Sequence, residues 1–192
     1  MINNPFITRS SLDIAVGLLV YTYPFEHSIP IMLSRPQDFI VSEIVNLQRV
    51  DELFDLLQRD KPRIDTCINP VYIVKKINID SFTLCKTLKD LLECKICKPL
   101  GLKDANAIAY QVVTLYGCSQ PISTYISTNN LEAILWYCNH EALFHTANYF
   151  KIRIYIPELN QVHEVIKRIK IIASHGYKIL NFFGYQRFGT KR

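Results

Sequence analysis

The sequence predicts an α+β domain, a mixed and largely antiparallel sheet with helices on one face. Three observations carry that prediction. Residues 149–156 (Tyr-Phe-Lys-Ile-Arg-Ile-Tyr-Ile) alternate strictly between apolar and polar side chains, the period of a strand. Two segments instead carry helical spacing: Leu84, Cys85, Leu88, Leu91 and Leu92 form one stripe, and Val162, Val165, Ile166, Ile169 and Ile172 form another. Between them lie several short extended segments rich in β-branched and aromatic residues.

Taken in order, residues 16–23 read as a strand stopped by Pro24, and 29–35 as a second strand. Pro36 and Asp38 punctuate a turn, after which 39–45 is extended, with Phe39, Val41 and Ile44 facing inward. Residues 51–58 form a short helix on Leu53, Leu56 and Leu57, broken by the polar stretch 59–63. Residues 71–77 are a strand. A helix follows, capped by Asp80 or Ser81 through a side-chain oxygen that accepts a free backbone N–H, and it ends near Cys94. The strand 110–116 turns at Gly117, and 123–127 is extended. Residues 131–138 fit a helix through Leu131, Leu135 and Cys138, or a strand through Ile134-Leu135-Trp136-Tyr137. The last helix covers 160–174 and stops at Gly176.

At 192 residues, 49% of them hydrophobic and 20% charged, the chain can bury a substantial core, which excludes a disordered class. Its net charge of +5 permits a polyanionic partner without demanding one. The first residues lack a basic segment followed by an apolar core, and the run 14–20 is too short to cross a bilayer. The expectation is a soluble, cytoplasmic protein without membrane contact. Six cysteines are therefore expected as reduced, buried thiols. Cys94-Lys95-Ile96-Cys97 has the spacing of half a zinc site, but a second pair is missing, so a zinc-stabilised interaction module is the minor alternative.

Two stretches have the composition of a site. Gly101-Leu102-Lys103-Asp104 opens a loop before the strand at 110–116 and presents one acid, which by itself reads as a solvated turn. Residues 181–189 hold two glycines, three phenylalanines, an asparagine and an arginine, a set suited to stacking on and bonding a nucleobase rather than to a core.

Three stretches in order carry a resemblance. They are Arg35-Pro36-Gln37-Asp38-Phe39-Ile40-Val41-Ser42-Glu43, then Gly101-Leu102-Lys103-Asp104 with Ala107 and Gln111, then Asn181-Phe182-Phe183-Gly184-Tyr185-Gln186-Arg187-Phe188-Gly189. Together they resemble the tRNA pseudouridine synthase D (TruD) family from about Val16 to the last residue. Asn148-Tyr149-Phe150 is similar to that family's Gly-Asn-x-Phe strand entry.

The resemblance implies a pseudouridine synthase-like catalytic fold, with residues 131–145 extended. It implies isomerisation of uridine to pseudouridine in tRNA, at position thirteen by family analogy, with no metal or redox cofactor. Asp104 would be the catalytic carboxylate. Phe183 would stack on the base, Asn181 would bond near Asp104, and Phe39 would pack beside the pocket. Arg187 is the remaining substrate-binding residue, and Lys103 would make a structural or phosphate contact. The chain departs from the family at Ala105, where Lys or Arg is usual, at Ala109, often Thr, at Ala147, which replaces glycine, and near Leu33, where a basic residue is common. Family members continue well past the last motif. The chain therefore resembles an N-terminal part of the catalytic domain, residues 1–192, with the C-terminal half and inserted domain expected on a separate piece. A non-catalytic RNA-binding remnant is the alternative.

Overall fold

The computed structural model describes residues 7–8, 10–25, 27–30, 32–33, 35–62, 67–138 and 143–180. The chain divides into two compact units, one of Leu33–Ile154 and one of Met1–Met32 with Tyr155–Arg192.

The larger unit is built on one eight-stranded sheet. Its strands are β1 (Phe39–Val45), β2 (Gln48–Arg49), β3 (Pro70–Ile77), β4 (Cys94–Pro99), β5 (Ile108–Cys118), β6 (Tyr125–Thr128), β7 (Leu131–Cys138) and β8 (His145–Ile152). The order runs β1-β5-β3-β7-β6, with β8 antiparallel to β1, and β2 turning back on the end of β1. Every pairing is antiparallel except β1 with β5, where Ile40 sits opposite Ile108. Strand β5 is long enough to take two partners along one edge. Its first residues pair with β1, and residues 113–118 pair with β4. The α+β class and the largely antiparallel sheet therefore stand, and 131–138 is a strand.

Each helix of this unit has its own side of the sheet. Helix α2 (Val50–Arg59) packs Phe54 against Val71, Ile73, Val112 and Ile134. Helix α3 (Ser81–Leu92) packs Leu84, Leu88 and Leu92 against Tyr72, Val74, Val113 and Leu135. Alternate residues of β3 thus serve opposite clusters, so the helices flank the sheet rather than sharing one face. In α2 the buried anchor is Phe54, while Leu56 is exposed, so the true stripe is rotated from the one read in the leucines. In α3 Leu91 likewise faces out. Asp80 caps α3, its Oδ1 accepting from the Phe82 and Thr83 amides at 2.8 and 2.9 Å. The Ser42 hydroxyl of β1 accepts from the Asp51 amide at 2.9 Å and satisfies the start of α2. The turn expected at Gly117 is absent. The strand continues to Cys118, with Gly117 at φ +63.

The cysteines are not reduced thiols. They pair as Cys67–Cys138, Cys85–Cys97 and Cys94–Cys118. Antiparallel β4 and β5 place Cys94 directly opposite Cys118. The fold brings the other pairs to a Cα separation of 5.5 Å, within the range a disulfide needs. Among the described residues no group of three or more His, Cys, Asp or Glu side chains could hold a metal ion.

The smaller unit contains helix α1 (Ser11–Ala15) and helix α4 (Leu159–Ser174). The strands expected at 16–23 and 29–35 reduce to two isolated bridges, Ile7 with Val20 and Met32 with Tyr155. Ser10 starts helix α1 just ahead of the first of these segments. Its hydroxyl accepts the Asp13 amide and starts a helical turn, which Gly17 ends at φ +81. On α4, Ile166 and Ile169 are exposed, and the partly buried side is Val162, Val165, Arg168 and Ile172. Arg168 explains the rotation: it pairs with Glu164 at 2.8 Å, donates to the His27 carbonyl and lies over the Phe25 ring. No helix among the described residues is long and apolar enough to cross a membrane.

Candidate active site

Loop 101–107 leaves the sheet where the edge of β5 changes partner. Leu100 still donates to the Val112 carbonyl, at 2.9 Å, as the last rung beside β4. Beyond it β1 takes over the same edge. At that junction the Val112 amide has no strand opposite, and the Glu43 carboxylate accepts it at 2.8 Å. The other Glu43 oxygen pairs with Lys103 Nζ at 2.6 Å, with the Lys103 side chain 6% exposed and the Glu43 side chain fully buried. A Cβ on Gly101 would lie 2.7 Å from Lys103 Nζ and 2.9 Å from Glu43 Oε1, so glycine leaves room for the pair.

Three further buried polar side chains lie under the loop. Ser81, the first residue of α3, accepts the Lys103 amide at 3.0 Å and donates to Gln111 Oε1 at 3.3 Å. Gln111 is fully buried, and its Nε2 has no partner among the described residues. Lys76, near the end of β3, is also fully buried. Its Nζ donates to the carbonyl oxygens of Ile79 and Asp104, each at 2.6 Å. Burial pushes its pKa down to about 8, against the opposing attraction of Asp80 and Asp104. Finally, the Asn78 amide donates to the Ala107 carbonyl at 3.2 Å.

The result is one exposed acid on a fixed backbone. Asp104 is solvent-accessible, and its main-chain carbonyl, not its carboxylate, takes the buried ammonium. Among the described residues, such an arrangement leaves both carboxylate oxygens open to a substrate, as a nucleophile or base requires. Phe39 begins β1 at the same end of the sheet, because β1 and β5 run parallel from Ile40 and Ile108. Its ring lies 5.9 Å from that of Phe150 on β8. Asp38, just before it, is buried, accepts the Arg35 amide through its side chain at 3.0 Å and the Arg153 amide through its carbonyl at 2.7 Å.

The structure therefore brings Asp104, Lys103 and Phe39 to one end of the sheet. Of the two contacts expected of Lys103, the geometry supplies the structural one. Asn181, Phe183 and Arg187 lie outside the described residues. Sequence reasoning did not assign Glu43, Lys76, Ser81 and Gln111 to the site. Glu43 and Gln111 stood within quoted motifs, whereas Lys76 follows Lys75 after an apolar run and reads as a surface charge.

The tRNA pseudouridine synthase D (TruD) family model matches residues 15–192. A probable tRNA pseudouridine synthase D of Sulfurisphaera tokodaii is 32% identical over 85% of this chain and 41% of its own length. That of Saccharolobus solfataricus is 30% identical over 97% of this chain and 46% of its own length. The chain thus spans less than half the length of these curated relatives. A solved Methanosarcina mazei structure, named as a tRNA pseudouridine synthase D, superposes with a TM-score of 0.58 at 22% identity, covering 82% of this chain and 34% of the other. At that identity the likeness bears on the fold alone.

Proposed function

Since this chain belongs to the tRNA pseudouridine synthase D (TruD) family, we propose that it forms the Asp104-bearing, N-terminal part of a catalytic domain that isomerises uridine to pseudouridine in tRNA. One observation carries the proposal. The loop under Asp104 rests on five buried polar side chains, Glu43, Lys76, Ser81, Lys103 and Gln111, while the acid itself is exposed. A solvated turn has no use for so costly a support, since each buried charge must recover its desolvation from bonds inside the protein.

The reaction breaks the C1′–N1 bond, turns the base and forms a C1′–C5 bond. A proton leaves C5 and another is gained at N1, so no electrons are exchanged with a third party. Asp104 acts at the sugar–base junction. A stacked uridine must first leave its stack, at a cost of about a few kcal/mol. Phe39 packs beside the pocket, Phe183 stacks on the base, and Asn181 and Arg187 bond the substrate. Lys103 contributes by holding the loop through Glu43. The target is uridine thirteen of a cytoplasmic tRNA, and a C-terminal half like that of the longer relatives completes the cleft.

Tritium release from tRNA labelled at uridine C5 tests the reading. The chain mixed with its C-terminal half releases tritium, and Asp104→Asn abolishes release. No release by the mixture, where a full-length relative is active, sinks the reading. Binding of tRNA without release would favour the alternative, a non-catalytic RNA-binding remnant.

A further inference from the structure

We propose that Lys76 is a positioning residue for the Asp104 loop: its buried ammonium fixes the main chain from which the carboxylate projects. The inference rests on the reading of Asp104 as the reactive acid, but its geometry stands without that reading.

A lysine side chain with no exposed surface is costly, because the ammonium gives up its water. A strand interior of this kind would ordinarily take an apolar residue, as Tyr72 and Val74 do on the same side of β3. Lys76 instead joins two chain segments. One bond goes to the Ile79 carbonyl, in the turn between β3 and α3, and the other to the carbonyl of Asp104 itself. Neither acceptor is a carboxylate. The ammonium therefore neutralises no acid by direct pairing and leaves the Asp104 side chain open. Three charged groups face it, Asp80 from the start of α3 and Asp104 and Lys103 from the loop.

The loop needs such an anchor. Residues 101–107 belong to no strand. The Ser81 hydroxyl and the Glu43–Lys103 pair hold its first part through Lys103, and the Asn78 amide holds its end at Ala107. Lys76 holds the residue between them that carries the acid.

Hydrogen exchange on the full 192-residue chain tests the proposal. Lys76→Met keeps an unbranched side chain and removes the donors. Amides of residues 101–107 are expected to exchange about tenfold or more faster than in the wild type, while those of β3 and β5 change little. Equal exchange in the loop would overturn the proposal. In the isomerisation assay, Lys76→Met lowers kcat by about 100-fold with KM little changed, and Lys76→Arg recovers part of the loss. Should the wild type catalyse nothing, the reading of Asp104 fails while the exchange result still judges Lys76. Should Lys76→Met not fold, the Lys76 Cε resonance is titrated in the wild type and in Asp104→Asn. A lower midpoint in the variant supports the placement of the ammonium beside Asp104, and an unchanged midpoint refutes it.

Discussion

Asp104 and Glu43 are both carboxylates, yet the structure gives them opposite roles. Asp104 is exposed, so Asp104→Asn is expected to change stability by no more than about 0.5 kcal/mol in urea unfolding. Glu43 has a fully buried side chain that answers both a lysine and an unpaired strand amide. Glu43→Gln leaves the Lys103 ammonium buried without a counter-charge and is expected to cost about 3–5 kcal/mol in the same measurement. The contrast explains what was legible. Asp104 stood out because three motifs fell in order around it, an argument from resemblance rather than from its own neighbours. Glu43 and Lys76 were not legible as site residues, because a charged side chain in a short strand ordinarily reads as solvent-facing. Their burial becomes visible only in the fold, where Glu43 meets the junction at which β5 changes partner and Lys76 reaches the Ile79 and Asp104 carbonyls.

At the scale of elements, the residue pattern located β3, α3 and α4, left β7 open between helix and strand, and missed where tertiary contacts override it. Helix α2 turns on Phe54, a residue whose burial depends on the sheet face above it. The short helix α1, capped by one serine hydroxyl, stands just ahead of the residues 16–23 that read as a strand, and Gly17 bends that run near its start at φ +81. The cap of α3 is testable. Asp80 has its pKa held below the ordinary carboxylate value by the bonds it accepts from Thr83 and Phe82. Its contribution is complete above the unfolded pKa of about 4 and fades as pH falls through the lower folded value. Asp80→Ala is thus expected to cost about 1 kcal/mol at neutral pH and to lose that penalty progressively in acid, as followed by thermal unfolding from pH 7 to pH 2. A penalty independent of pH would show that the cap does not act through its charge.

Across the whole molecule, all three disulfides fall in the larger unit and tie together β4 with β5, α3 with β4, and the approach to β3 with β7. Alkylation of the unfolded, unreduced chain is expected to label no cysteine, and reduction to expose six, counted by mass. Breaking Cys67–Cys138 alone releases a 71-residue separation and is expected to cost about 4 kcal/mol in denaturant unfolding. Spacing could not reveal these pairs, because strand register sets Cys94–Cys118, and the packing of α3 on β4 and the approach to β3 set the other two. The parallel pairing of β1 with β5 has a further consequence. Phe39 and Asp104 are far apart in the chain, but their relation is fixed locally by the rungs from Ile40 to Ile108. The chain between them can lengthen or shorten away from the contacts that hold the loop, as at the C-terminal end of α2, and the aromatic and the acid keep their spacing. The tolerance ends at residues 78–81, which anchor the loop, and inside residues 101–107, where one residue gained or lost would shift the acid against its rung. The geometry of the site is thus insulated from much of the length variation in the fold that carries it and depends on one loop and the turn that holds it.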